Sequence, residues 1–256
     1  MQALRMRRFF TFAAAVLLAA GVARAEPACR QTAFEGAAFL VCTAEVGEVR
    51  LRTWLDDDAG QPLRTFARLK AYAEKDGRRL LFAFNAGMFT PEHRPAGLYV
   101  EDGRVVKGIN LKRGRGNFHL LPNGVLWIGE TRAGVMESRR FARAMRRGRL
   151  RPRFATQSGP LLVIGGRLHP QFRRGSDSLK IRNGAGVRAG GKVVVFALAL
   201  DAVNFHTFAR LFRDHLKTPN ALFLDGGISQ ALIPDLGHFG GLLPLSYGPF
   251  VGAVAR

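Results

Sequence analysis

The chain has 256 residues, and 39 Lys and Arg against 19 Asp and Glu give it a formal charge of +20. That length can bury a sizeable core, and that charge favours anionic partners: nucleic acid, acidic polysaccharide, an anionic lipid surface or a phosphorylated substrate. Two cysteines are too few for a cysteine-rich scaffold. Beyond Ala25 no apolar run approaches the length of a membrane-spanning helix, which argues against an integral membrane protein built from helices.

Met1 to Ala25 reads as a secretory signal. Arg5, Arg7 and Arg8 form a positive n-region, Phe9 to Val22 an apolar h-region, and Ala23-Arg24-Ala25 a small-x-small cleavage site. The expected product is periplasmic or secreted. Removing Met1–Ala25, which carries four arginines and no acid, leaves the chain from Glu26 onward and takes the charge from +20 to +16. In an oxidising compartment Cys29 and Cys42, 13 apart, read as one disulfide pinning the amino-terminal segment.

Strands are predicted over 37–43 and 46–54, around the Val46-Gly47-Glu48 turn, with Val49, Leu51 and Thr53 alternating. Asp56-Asp57-Asp58 reads as a solvated turn, because a calcium loop alternates its ligands and ends on a distal Glu. A helix is predicted from Pro62 to near Gly77, its stripe formed by Leu63, Phe66, Leu69, Lys70 and Ala73. Arg79 to Phe84 is a buried strand that ends on Asn85-Ala86-Gly87-Met88-Phe89. Asn85 stands where burial stops, with Gly87 two places on, so its amide either orients a carboxylate, binds sugar hydroxyls or holds its own turn.

Gly97 to Val106 predicts a hairpin through Glu101-Asp102-Gly103. Asn117 to Leu121 and Val125 to Ile128 predict another, followed by a basic helix over Glu137 to Arg147 that ends at Gly148. Between Arg139 and Arg153 eight arginines crowd together. They read as a solvated or anion-facing surface; no nucleic acid is expected, since an exported protein rarely meets RNA. Thr156-Gln157-Ser158-Gly159-Pro160 precedes the strand Leu161 to Ile164. It lacks the paired glycines of a hydrolase nucleophile elbow, so Gln157 and the Ser158 hydroxyl are read as binding groups.

Ile181-Arg182-Asn183-Gly184-Ala185-Gly186-Val187 places an arginine ahead of a small-residue strand, where its planar fork would suit bidentate capture of phosphate or carboxylate. Val193 to Leu200 is a further buried strand. Asn204 caps a helix whose face of Phe205, Phe208, Leu211, Phe212 and Leu216 reads as core. Ala221 to Leu224 is an apolar run short enough for a strand buried on both faces, and an acid follows it. Asp225 would stand at the strand's carboxyl end, with Gly226 and Gly227 exposing amides and Ser229 a hydroxyl; the alternative is an ordinary Asp-Gly turn. Tyr247 to Val254 closes the sheet. With no repeat, no linker and about three helices, the expectation is one mixed α/β domain, α+β-like, over residues 26–256, its polar loops gathered at one rim.

Asn85-Ala86-Gly87-Met88-Phe89, Gly97-Leu98-Tyr99-Val100-Glu101, Gly116-Asn117-Phe118, Gln157-Ser158-Gly159-Pro160, Arg182-Asn183-Gly184-Ala185-Gly186-Val187 and Leu224-Asp225-Gly226-Gly227-Ile228-Ser229 occur in this order. Together they resemble the phosphodiester glycosidase domain family, typified by an enzyme that removes N-acetylglucosamine from a phosphodiester. The resemblance implies that Asn85, Gln157, Arg182, Asp225, Gly226, Gly227 and Ser229 line the site. Gly87, Asn117, Ser158 and Asn183 are read as further substrate-binding residues, and the expected mechanism makes Asp225 and Arg182 catalytic with Glu101 as the second carboxylate, unless Glu101 is a turn residue beside Asp102-Gly103. Many relatives carry Asp-Gly-Arg where this chain has Asp201-Ala202-Val203-Asn204, so the basic group they supply there is missing. The implied partner is an anionic sugar phosphodiester or envelope glycan. No cofactor is predicted, and a divalent cation is left open. A non-catalytic module for anionic envelope polysaccharide is the alternative function.

Overall fold

The structure, a computed structural model, describes residues 28–241 and 245–256; the leader expected over Met1–Ala25 lies outside them. β1 (Ala28–Phe34) and β2 (Ala37–Glu45) form a hairpin, and β3 (Arg50–Trp54) follows. α1 (Phe66–Glu74) leads to β4 (Leu80–Asn85) and to a second hairpin of β5 (Tyr99–Glu101) and β6 (Arg104–Lys107). A third joins β7 (Gly124–Ile128) to β8 (Ala133–Glu137) and runs into α2 (Ser138–Arg146). β9 (Phe154–Ser158), β10 (Leu161–Ile164) and the short β11 (Arg167–Leu168) precede β12 (Asn183–Arg188) and β13 (Val193–Ala199). α3 (Phe205–Arg210) continues as a π-turn over Leu211–His215. Last come β14 (Asn220–Phe223), β15 (Gln230–Ile233), β16 (Gly237–Gly240) and β17 (Phe250–Val254).

These strands make a seven-stranded sheet in the order β1-β2-β13-β12-β14-β10-β11 and two five-stranded sheets, β16-β15-β4-β17-β3 and β6-β5-β9-β7-β8. Every pairing of named strands is antiparallel. One apolar cluster draws on all three sheets, with Leu40 and Phe196 from the first, Phe82 and Phe84 from the second, and Leu126 and Phe154 from the third. The rings of Phe82, Phe84 and Phe196 meet across it at 5.4, 5.5 and 6.0 Å. A shared core of this kind makes one α+β domain with three helices, the class expected.

β4 is buried along its whole length, as its apolar run implied. Its Phe82 and Phe84 face the shared cluster, while Leu80 and Ala83 face a second one built with Trp54, Leu69 and Phe250. α1 starts at Phe66, beyond Pro62, because Arg64 takes a left-handed φ of 57° and the Thr65 side chain then accepts the Arg68 N–H as the cap. The hairpin expected over Asn117–Ile128 does not form. Asn117–His119 is a single 3-10 turn, and β7 pairs with β8 instead. β1 and the β15–β16 hairpin were not read from the sequence. β1 is largely exposed on an edge, and β16 is a short strand with glycine at both ends, so neither carries an apolar pattern.

The expected disulfide is present. Cys29 and Cys42 face each other in the β1–β2 register and are bonded, with no free cysteine among the described residues. Replacing both with serine should leave the fold intact but lower unfolding free energy by about 2–3 kcal/mol, the scale for releasing a loop of this size; urea melts of the two proteins check this.

Candidate active site

The ends of β4, β12, β14 and β15 meet at one rim, joined by the side chain of Asn85. Its Nδ2 donates to the main-chain oxygen of Asp225 at 2.7 Å, and its Oδ1 accepts from Asn183 Nδ2 and from the Gln230 amide, each at 2.9 Å. Asn183 Nδ2 also donates to the Asn85 main-chain oxygen at 2.8 Å. The Ser229 hydroxyl lies 3.4 Å from the carbonyls of Asp225 and Ile181 and 3.5 Å from Asn183 Oδ1. Asn85 and Asn183 are 1% and 0% exposed. Both amides, expected to contact substrate, are buried here and hydrogen-bonded within the protein, where they hold the frame.

Asp225 is what that frame presents. Its amide donates to the Ala86 carbonyl at 2.9 Å, and its carboxylate accepts the Gly227 N–H at 3.2 Å. No cation pairs with it among the described residues. Desolvation raises its pKa above the ordinary aspartate value, and the Gly227 amide opposes that rise. The Gly227 amide, expected to face phosphate, is thus already engaged by Asp225. Gly226 lies against the Phe223 ring so closely that a Cβ there would overlap it.

Arg182 reaches the same ring. Its guanidinium carbon is 3.7 Å from the Phe205 centroid and 5.7 Å from that of Phe223. Nε donates to the Val203 carbonyl and Nη2 to the Ser178 carbonyl, each at 2.8 Å. The planar fork expected to grip a ligand is therefore partly engaged by main chain, and Nη1 keeps its donors. Arg182 is 2% exposed and has no carboxylate partner among the described residues. Burial lowers its pKa to about 10, so it remains charged at neutral pH. Val203 belongs to the Asp201–Asn204 segment where relatives' arginine is missing; here that segment anchors Arg182. The glycines after Arg182 serve packing: a Cβ at Gly184 would crowd Phe208, and one at Gly186 would crowd Phe212 and Thr218.

Other expected residues separate from this rim or face inward. Gln157 donates from Nε2 to the Asn110 carbonyl and Ser138 Oγ and accepts at Oε1 from the amides of Leu98 and Asn110, so it is a buried bracket, not a ligand contact. Gly87 lets the loop after β4 pass against Thr156 and the Gln157 main chain. Ser158 is fully buried, and its hydroxyl has no partner. Asn117 is exposed, with its main chain beside Gly159. Glu101 belongs elsewhere. It stands at the Phe154 end of β9 whereas Asn85 and Gly87 adjoin the Gln157 end, about 10 Å along the strand. There it accepts from the Tyr99 hydroxyl at 3.1 Å and lies 4.0 Å from Arg52, and burial pushes its pKa up to about 7. This places Glu101, expected as the second carboxylate, away from the end of β9 that Gly87 touches.

Sequence reading missed the aromatic ladder behind Arg182. Phe205, assigned to the core face of its helix, is half-buried and stacks on Phe172 at 4.9 Å, which stacks on His169 at 4.8 Å. Burial lowers the His169 pKa, and its Nε2 is buried without a partner. Among the described residues no cluster of three or more His, Cys, Asp or Glu offers a metal site, and no helix is long and apolar enough to cross a membrane.

Residues 78–241 match the profile of the phosphodiester glycosidase family. The chain belongs to that family. It is 31% identical over 206 residues to the uncharacterized protein YigE of Escherichia coli K12, covering 80% of this chain and 76% of that one. The zebrafish N-acetylglucosamine-1-phosphodiester alpha-N-acetylglucosaminidase catalytic domain, auto-inhibited by its pro-peptide, superposes with a TM-score of 0.58 at 16% identity. That match spans 90% of this chain and 83% of the other. A hypothetical protein from Synechocystis gives 0.51 at 15% identity, over 89% and 61%. At such identities these two structures show a common fold.

Two outcomes test this assignment of roles. Asn85→Ala leaves the Gln230 amide and part of Asn183 unpaired, so unfolding free energy should fall by about 2–4 kcal/mol, measurable in urea melts. Glu101→Gln should act on stability only where Glu101 ionises. Its raised folded pKa means that stability is lost as pH rises from about 4.5 to about 7. The variant should therefore match the parent at pH 4 and melt higher at pH 8, by up to about 3 kcal/mol.

Proposed function

We propose that this phosphodiester glycosidase family member is an exported hydrolase that cleaves the glycosyl–phosphate bond of a sugar phosphodiester in the cell envelope. The observation that carries the reading is that Arg182 and the residue next to Asp225 meet at one ring, while neither charged side chain has an ion-pair partner among the described residues. Arg182 lies over Phe223, and Gly226, next to Asp225, presses on the same ring. Each charge is desolvated and left without its usual compensation, a cost that a bound zwitterionic transition state would relieve.

Asp225 acts at the anomeric carbon, either attacking it or taking the proton of the water that attacks. In both routes the anomeric C–O bond to phosphate breaks, its electron pair leaves on the phosphate oxygen, and water finally supplies the anomeric hydroxyl. A phosphate monoester leaves readily as an anion, so no second carboxylate is required to protonate it. That removes any need for Glu101 at the rim. Arg182 supplies positive charge toward the leaving phosphate, and the Gly226 amide is a second donor beside it.

Screening the purified protein against α- and β-linked sugar phosphodiesters should identify a substrate that releases free sugar. Asp225→Asn should lower that turnover roughly 10³-fold with an unchanged melting temperature. Because the working form of Asp225 is the anion, activity should rise with pH through an inflection above the ordinary aspartate range. Undiminished turnover in Asp225→Asn overturns the assignment. A wild-type protein that retains anionic glycan, in a salt-sensitive way, but turns over no diester is a binding module.

A further inference from the structure

A cavity of about 800 Å³ opens at the far end of the second sheet from Asp225, lined by Arg50, Arg52, Arg78 and Arg153 among others. The strand register places it: Asn85, at the rim, pairs with Phe250 and through it with Trp54, whereas Arg50 pairs with Val254 beside Leu80, about 13 Å along the strands. The carboxylates lining it are Asp102 and Glu130. Arg256 lines it too.

The charges there do not balance. Asp102 is shared between Arg52, at 3.5 Å, and Arg153, at 2.9 Å. Arg50 has no carboxylate partner among the described residues, and Arg78 meets only Asp76 at 3.4 Å, a half-exposed pair of little strength. Arg52 is held in place by two aromatic faces, Trp54 at 5.4 Å and Phe154 at 5.5 Å. Its Nε is buried and makes no hydrogen bond, a donor left over inside the protein. Arg153 flanks the same Phe154 ring at 5.7 Å. One guanidinium held between two rings, with those of Arg50, Arg78 and Arg153 also lining a concavity far larger than one phosphate, suits an anion with more than one charged centre.

The geometry points to a second site, separate from the rim, that binds a ligand carrying at least two neighbouring phosphate groups. It stands whether or not the rim hydrolyses a diester. Titration calorimetry with pyrophosphate and inorganic phosphate, at matched ionic strength, tests it. Pyrophosphate should bind one per chain and at least about tenfold tighter than phosphate. Arg50→Gln with Arg78→Gln, two positions at the surface, should weaken it at least about tenfold at an unchanged melting temperature. Arg182→Lys and Asp225→Asn should bind it as the wild type does. Affinity that climbs from pyrophosphate to long-chain polyphosphate assigns a polymeric ligand, and affinity that stays level assigns a small diphosphate; both support the site. Equal binding of phosphate and pyrophosphate, full binding by the Arg50/Arg78 variant, or loss of binding in Arg182→Lys would overturn it.

Discussion

The rim depends on the side-chain amide of Asn85. It is one group with a donor and an acceptor, and it uses both across two sheets: the donor on the Asp225 carbonyl after β14, the acceptor on Asn183 of β12 and on the Gln230 amide of β15. Strands that belong to different sheets share no ladder at their ends, so their last polar groups would otherwise be buried without partners. A carboxamide closes that gap where a carboxylate, lacking donors, or a hydroxyl, too short, would not. The position of Asp225 follows from this closure more than from the glycines beside it.

Given that frame, the charges at the rim are kept from cancelling. A buried arginine ordinarily finds a carboxylate, and a half-buried, desolvated aspartate is ordinarily met by a cation. Arg182 instead has two carbonyls and the face of Phe205, and Asp225 has the Gly227 amide. An ion pair between them would neutralise both and leave neither charge for the proposed substrate. The aromatic ladder from His169 through Phe172 to Phe205 holds the guanidinium in one orientation, so the charge is placed before any ligand arrives.

Asp225 and Arg182 stand out in the sequence because each breaks a local pattern: an acid ending a fully apolar run, an arginine heading a run of small residues. What the neighbouring polar residues do was not legible. Asn85, Gln157 and Asn183 look alike in sequence whether their amides face a ligand or the interior, because the choice depends on partners 19 to 145 positions away. Glu101 misled for a related reason. Its motif lies among rim motifs along the chain, but β5 runs antiparallel to β9, so each step from Tyr99 to Glu101 carries the chain away from the Gln157 end. Phe205 fitted a helical stripe at its first position, where a helix residue is as free to face its neighbours as its own core.

The surplus of arginine also separates into two physical roles. Arg139, Arg140, Arg143 and Arg146 on α2 are exposed and carry no ion pair among the described residues, the solvated face their spacing implied. At physiological ionic strength the field of such groups fades over about 8 Å, so they draw anions toward the molecule without choosing among them. Choice requires guanidinium groups that are fixed, partly desolvated and short of carboxylates. Arg182 meets those conditions at the rim; in the distal cavity Arg52 is held between two rings and shares Asp102 with the exposed Arg153, while Arg50 has no carboxylate partner among the described residues. Net charge therefore favours anions in general, and the few arginines pinned against aromatic rings carry the two proposed sites.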